Sequence, residues 1–225
     1  MSTTTSPPSP FRRLAAVVLL GVGVGLFSSR SDLLPADTLL HVVVVMGNAV
    51  GPWVAMGFAA GAVQRDARLG SVGGAMALCV GVATYYLAAL LTWGDRAPTF
   101  LPVLALVWLL VAAVSGGAVG AAGGAWASHG RYRSLGPIIL AGALLAEAAY
   151  QLVQVEAWHG IDVTRTGVQI AAIDAVAAVL VPVVLLERAR RPTAYLGGVA
   201  VGAVGFLVLA GVESLIRSLL FALPD

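Results

Sequence analysis

From Phe11 to Phe221 the sequence is a series of apolar runs, each about 18–28 residues long, interrupted at short intervals by proline and arginine. Runs of that length without alternation are not barrel strands, which need only about 10 residues of alternating hydrophobicity. Nor is there enough charge to face water on all sides. Only 11% of the 225 residues are charged, against about 25% in a soluble domain. In lipid every backbone N–H and C=O must be satisfied within the segment. The sequence therefore predicts an all-α, polytopic membrane protein, a seven-transmembrane-helix bundle over residues 11–225. Residues 1–10 are rich in Pro, Ser and Thr and are expected to form a disordered cytoplasmic tail.

The spans are expected at 12–29, 38–63, 70–93, 99–127, 135–155, 166–188 and 194–221. All 13 basic residues are arginines, and they set the orientation. Arg12, Arg13, Arg65, Arg68, Arg131, Arg133, Arg188, Arg190 and Arg191 fall on one side of this plan. Arg30, Arg96, Arg165 and Arg217 fall on the other. The asymmetry follows the positive-inside rule and predicts a multi-pass cell-membrane protein with its N-terminus cytoplasmic and its C-terminus outside. An interfacial or re-entrant segment at 33–46, with 49–64 as the true span, leaves that topology unchanged. Gly47-x-x-x-Gly51, Gly57-x-x-x-Gly61, Gly116-x-x-x-Gly120-x-x-x-Gly124 and Gly198-x-x-x-Gly202 are expected to place glycines on helix faces where backbones approach. Such faces pack the bundle or, alternatively, form a homo-oligomer seam.

Several function classes are excluded. Schiff-base chemistry needs an amine, and the chain has no lysine. The single cysteine, Cys79, forms no internal disulfide or cysteine metal cluster. No basic stripe is interleaved with aromatics, so nucleic acid is not expected as a partner. Gly21-Val-Gly-Val-Gly25 lies within a span and follows no strand, so it is not a dinucleotide loop.

Polar side chains inside spans are costly and point to function. At a rise of ~1.5 Å per residue, Asp174 lies ~12 Å below the outer surface, Glu147 ~18 Å above the inner one, and Asn48 ~15 Å below the outer. Tyr85 and Tyr86 fall in the outer half of their span. The expected site thus occupies the middle to outer half. Glu147, Tyr150, Gln151 and Gln154 share one helix face by spacing, as do His41 and Asn48. Pro52 is expected to free a backbone carbonyl just below Asn48, with Trp53 as an aromatic wall. Glu213 and Arg217 are spaced for a salt bridge near the outer interface. Trp93 and Trp158 suit the interfacial belt. His41, His159, Glu156 and Asp162 match no helical ligand pair, and loop exposure explains three of them, so no metal is expected. Glu147 and Asp174 have no arginine at their depth and are candidate proton donors.

A chamber with carboxyls and aromatic walls suits two classes of activity. One is a cyclase in which an acid protonates an alkene or epoxide, aromatic faces stabilise the cation, and water is excluded. The other is a proton-coupled transporter, or a substrate-binding subunit, for a small solute. The size, the seven-span plan and the intramembrane acids resemble the small membrane-embedded terpene cyclases of bacterial drimentine-type pathways. Gly47-Asn-Ala-Val-Gly-Pro-Trp53, Tyr85-Tyr86 and Ala146-Glu-Ala-Ala-Tyr150 also resemble a broad set of actinobacterial integral membrane proteins. The cyclase resemblance implies proton-initiated cyclisation of a farnesyl chain on a lipophilic substrate, with Glu147 or Asp174 as the acid. Tyr86, Tyr150 and Trp53 would line the chamber, and Asn48 would hold a polar head group. His41, Tyr85, Gln151 and Glu213 complete the candidate binding set. No DDxxD motif is present, so neither pyrophosphate ionisation nor a cofactor is implied. Span two has His41 and Asn48 where the fungal cyclases carry an acid.

Overall fold

The computed structural model describes residues 9–31, 46–47, 49–94, 98–128, 130–157 and 161–221. Among them are seven α-helices and no strand: α1 (Pro10–Ser31), α2 (Val50–Gln64), α3 (Ala67–Trp93), α4 (Leu101–Ala127), α5 (Leu135–Ala157), α6 (Ile161–Leu185) and α7 (Arg191–Phe221). Local chemistry sets their ends. Pro10 opens α1, and a second proline lies in the first two residues of α4, where a missing N–H costs nothing. The Asp66 carboxylate caps α3, accepting from the amides of Arg68 and Leu69 at 2.9 Å. Arg191 reaches back over the end of α6, donating to Val183 O at 2.9 Å and Leu186 O at 3.3 Å.

Six of the helices are long and apolar enough to cross a membrane, and the chain is a membrane-embedded helical bundle. The exception is α2. Its 15 residues fall short of the about 20 that a span requires. It sits inside the bundle, packed against α1, α3, α4 and α5.

Glycine faces join α2, α3 and α4. A methyl group added at Gly61, Gly120, Gly123 or Gly124 would overlap the backbone oxygen of Gly120, Gly70, Phe58 or Asp66 respectively. One added at Gly116 would lie 2.7 Å from Gly74 O. The Gly116–Gly120–Gly124 face is therefore consumed within the chain, between α2 on one side and α3 on the other. On the far side of the bundle α5 packs on α6 and α7, with Gly202 meeting Leu145.

Contacts between chain-distant residues collect nine of the thirteen arginines at one end. Arg13 donates to Gln64 O, the last residue of α2, and Gly124 lies on Asp66. The Trp126 indole N–H donates to Leu185 O, and Arg133 pairs with Glu187. This arginine-rich end is a fixed reference for depth.

Candidate functional site

The second span departs most from expectation. A continuous span over 38–63 is the first expectation from the sequence, with 49–64 as the true span the alternative; residues 32–45 and 48 lie outside the described residues, and the described part is broken, with its helix on the bounds of the alternative. Met46 and Gly47 are helical, Ala49 is extended at φ −80°, ψ 146°, and α2 begins afresh at Val50. Pro52 explains the break. In a continuous helix its ring would strike the carbonyl four residues back, at position 48. It falls instead on the third residue of α2, where its lack of an N–H leaves nothing unsatisfied. Pro52 thus frees no carbonyl within a span, and Gly47 and Gly51 do not share a helix face.

Both sides of the break are satisfied by side chains from other helices. Ser28 of α1 donates its hydroxyl to Gly47 O at 2.5 Å, and Ser31 donates to Ser28 O at 2.7 Å. Ala49 supplies no side-chain cap. The cap comes from α5: the Val50 and Gly51 amides donate to Oε1 and Oε2 of Glu147, each at 2.5 Å. With Pro52 third, no donor in this turn is left over. The carboxylate also meets the positive end of the helix dipole.

Asp174 of α6 completes the site. Its carboxyl and that of Glu147 converge on the same residue, Gly51, whose amide donates to Glu147 and whose α-carbon faces Asp174. Both acids are 1% exposed. A methyl group added at Gly51 would lie 2.6 Å from Asp174 Oδ1 and 3.2 Å from Leu144; a bare backbone is required for the carboxyl to fit. Asp174 Oδ2 is buried and has no hydrogen-bond partner among the described residues.

Measured along α5 and α6 at ~1.5 Å per residue, the two acids stand ~16–18 Å from the arginine-rich end. The site therefore lies near mid-bundle. Polar groups continue from it in one direction, away from the arginines. Tyr150 donates its hydroxyl to Glu213 Oε2 at 2.5 Å, Gln151 is half-buried, and Gln169 Oε1 is buried without a partner among the described residues. Toward the arginine-rich end, Leu140, Leu144 and Ala178 form apolar core with Val54 and Phe58.

The structure brings together Glu147 and Asp174, and it joins Tyr150 to Glu213. It separates the expected aromatic wall from the acids. Trp53 turns toward α3 and covers Gly81. Tyr86 is buried with Leu101 and Ala112 in a core formed with α1 and α4, and Tyr85 meets it edge-on with centroids 5.1 Å apart. Glu213 takes Tyr150 as a partner; the Arg217 side chain, like that of Gln154, lies outside the described residues. So do His41, Asn48, Trp158, His159 and the side chains of Glu156 and Asp162. The sequence reading overlooked Ser28 and Ser31, placed near a span end although they are 4% and 1% exposed. A tight serine cluster ending an apolar helix was the available signal.

Over residues 4–216 the chain matches the family model described as "Family of unknown function (DUF6518)". No curated protein matches it, and no solved structure does.

Proposed function

Taking the chain as a member of the DUF6518 family, to which it belongs over residues 4–216, we propose that it is a proton-coupled carrier of a small anionic solute. One observation carries this reading: a helix begins at mid-bundle with its first two amides held by a carboxylate from another helix. Carriers use interrupted helices in this way, because the positive end of a half-helix is an anion site placed within the membrane. Here Glu147 occupies that place. When a proton reaches Glu147, its carboxylate loses its charge and both charge-assisted bonds weaken. The amides of Val50 and Gly51 then become available to a carboxylate or comparable group on the solute. Departure of solute and proton restores the cap. Tyr150, Glu213 and Gln169 give protons a polar approach from the end opposite the arginines. With the arginine-rich end cytoplasmic, that approach opens outside the cell membrane, the N-terminus is cytoplasmic and the C-terminus is external.

Cyclisation of a prenyl chain is the second reading, favoured by the two buried acids at mid-bundle. The test is reconstitution into liposomes containing a trapped pH dye. Small organic acids are applied one at a time, under an imposed pH gradient. The carrier reading predicts solute-dependent proton entry that is lost in Glu147→Gln and Asp174→Asn. Absence of proton entry across the panel, together with isomerisation of a farnesylated substrate at unchanged mass, would overturn it in favour of the cyclase.

A further inference from the structure

Apart from the carboxyl pair, the arginine-rich end contains a hollow of about 540 Å³ between α2, α4, α5 and α6. Phe58 and Trp126, with ring centroids 5.7 Å apart, line it together with Ala59, Ala62 and Leu185. Its interior is apolar. The one polar atom of the Trp126 ring is committed to Leu185 O at 3.2 Å, so a polar solute would find no partner there. Arg65 also lines the hollow. It is exposed, and its guanidinium has no hydrogen bond or ion pair among the described residues.

The surrounding charge is one-sided. Nine arginines gather at this end, and the described carboxylates beside them are already engaged. Asp66 caps α3, and Glu187 faces Arg133 at 3.9 Å. An apolar slot with a guanidinium that has no partner among the described residues, at the arginine-rich end of a membrane bundle, has the chemistry of a lipid site: one part takes hydrocarbon and the other a phosphate.

We propose that this hollow holds an acyl chain of an anionic phospholipid, with the lipid phosphate on Arg65. A membrane lipid is the source, because free phosphate would gain a single exposed guanidinium and leave the apolar walls empty. The site is separate from the carboxyl pair and does not depend on a transport activity.

The test uses delipidated full-length protein in a neutral detergent. Phosphatidylglycerol and phosphatidylcholine with identical chains are titrated in turn, and bound lipid is counted by native mass spectrometry. The expected result is one retained phosphatidylglycerol that phosphatidylcholine does not replace. Arg65→Gln should weaken its binding roughly fivefold, the factor one basic residue contributes toward an anionic headgroup, and Arg65→Lys should retain most of it. Ala59→Leu fills the hollow and should reduce binding with the charge intact. As a check independent of folding in that variant, phosphatidylglycerol with brominated chains should quench wild-type fluorescence, and Trp126→Phe should lose most of that quenching. Equal binding of the two lipids, displacement by glycerol phosphate, or unchanged binding and quenching in the variants would overturn the proposal.

Discussion

The glycine seam of α2, α3 and α4 and the helix break at Ala49 solve the same problem by opposite means. Each must bury backbone in a bundle where water is not available. Along the seam every helix satisfies its own N–H and C=O groups. Glycine then lets the closed cylinders touch, as where Gly116 meets Gly74. At the break the backbone leaves its own hydrogen-bonding pattern, and three other helices take over. Ser28 of α1 serves Gly47, Glu147 of α5 serves Val50 and Gly51, and Asp174 of α6 fills the space over Gly51. The seam depends on what side chains leave out. The break depends on what they supply, and those groups are ionisable, which makes it the part of the bundle able to change state.

Substitutions can test that contrast. The largest loss is expected from Glu147→Ala, which strands the part-buried amide of Val50 and the buried amide of Gly51, at about 1–3 kcal/mol each. Thermal unfolding in detergent would measure it, and faster hydrogen exchange at Val50 and Gly51 would localise it. If exchange there stayed slow, the cap would not be what holds the break. Gly120→Ala on the seam comes next, at about 1–3 kcal/mol for overpacking. Its methyl group would run into Gly70 O, so the loss should appear in α3 and α4 while the Val50 and Gly51 amides remain protected. Ser28→Ala should cost about 0.6 kcal/mol, the average for a side-chain hydrogen bond within a membrane bundle; a loss several times greater would mean that the serine end governs the break. Asp174→Asn should alter stability least, because asparagine keeps the shape of the side chain over Gly51 and Asp174 Oδ2 has no partner among the described residues to lose. It should nevertheless abolish the proton coupling proposed for the pair. A purely structural Asp174 would show the reverse pattern.

The two regions were unequally legible in the sequence. Gly116, Gly120 and Gly124 announce a close-packed face, because a four-residue period is a property of one helix and needs no partner to be read. The arginines announce their common end for a similar reason: loop charge alternates with each crossing. Glu147 and Asp174 stood out as acids in apolar runs, so the members of the site were visible one by one. Their relation was not. Helix starts are ordinarily marked by Ser, Thr, Asp or Asn at the cap, whereas here the cap position is Ala49 and the capping group arrives from 97 residues away. Pro52 was visible too, but a proline within an apolar run signals a kink as readily as a new first turn. Trp53, expected beside the acids, faces α3 because the restart of α2 resets which way each residue points.

By itself the sequence determined the solvent of this protein, its helical class, the common end of nine of its arginines and the unusual acids. Each of these follows from local composition or from a period along one helix, where the physics acts within a single segment. Tertiary structure alone decided between a continuous second span and one that starts afresh near residue 49, and it alone showed that Glu147 closes the new helix end and that Asp174 lies beside it over a glycine. These are agreements among four helices, α1, α2, α5 and α6. They follow from the rule that a backbone polar group buried in a membrane must find a partner, which leaves open which distant residue will provide it.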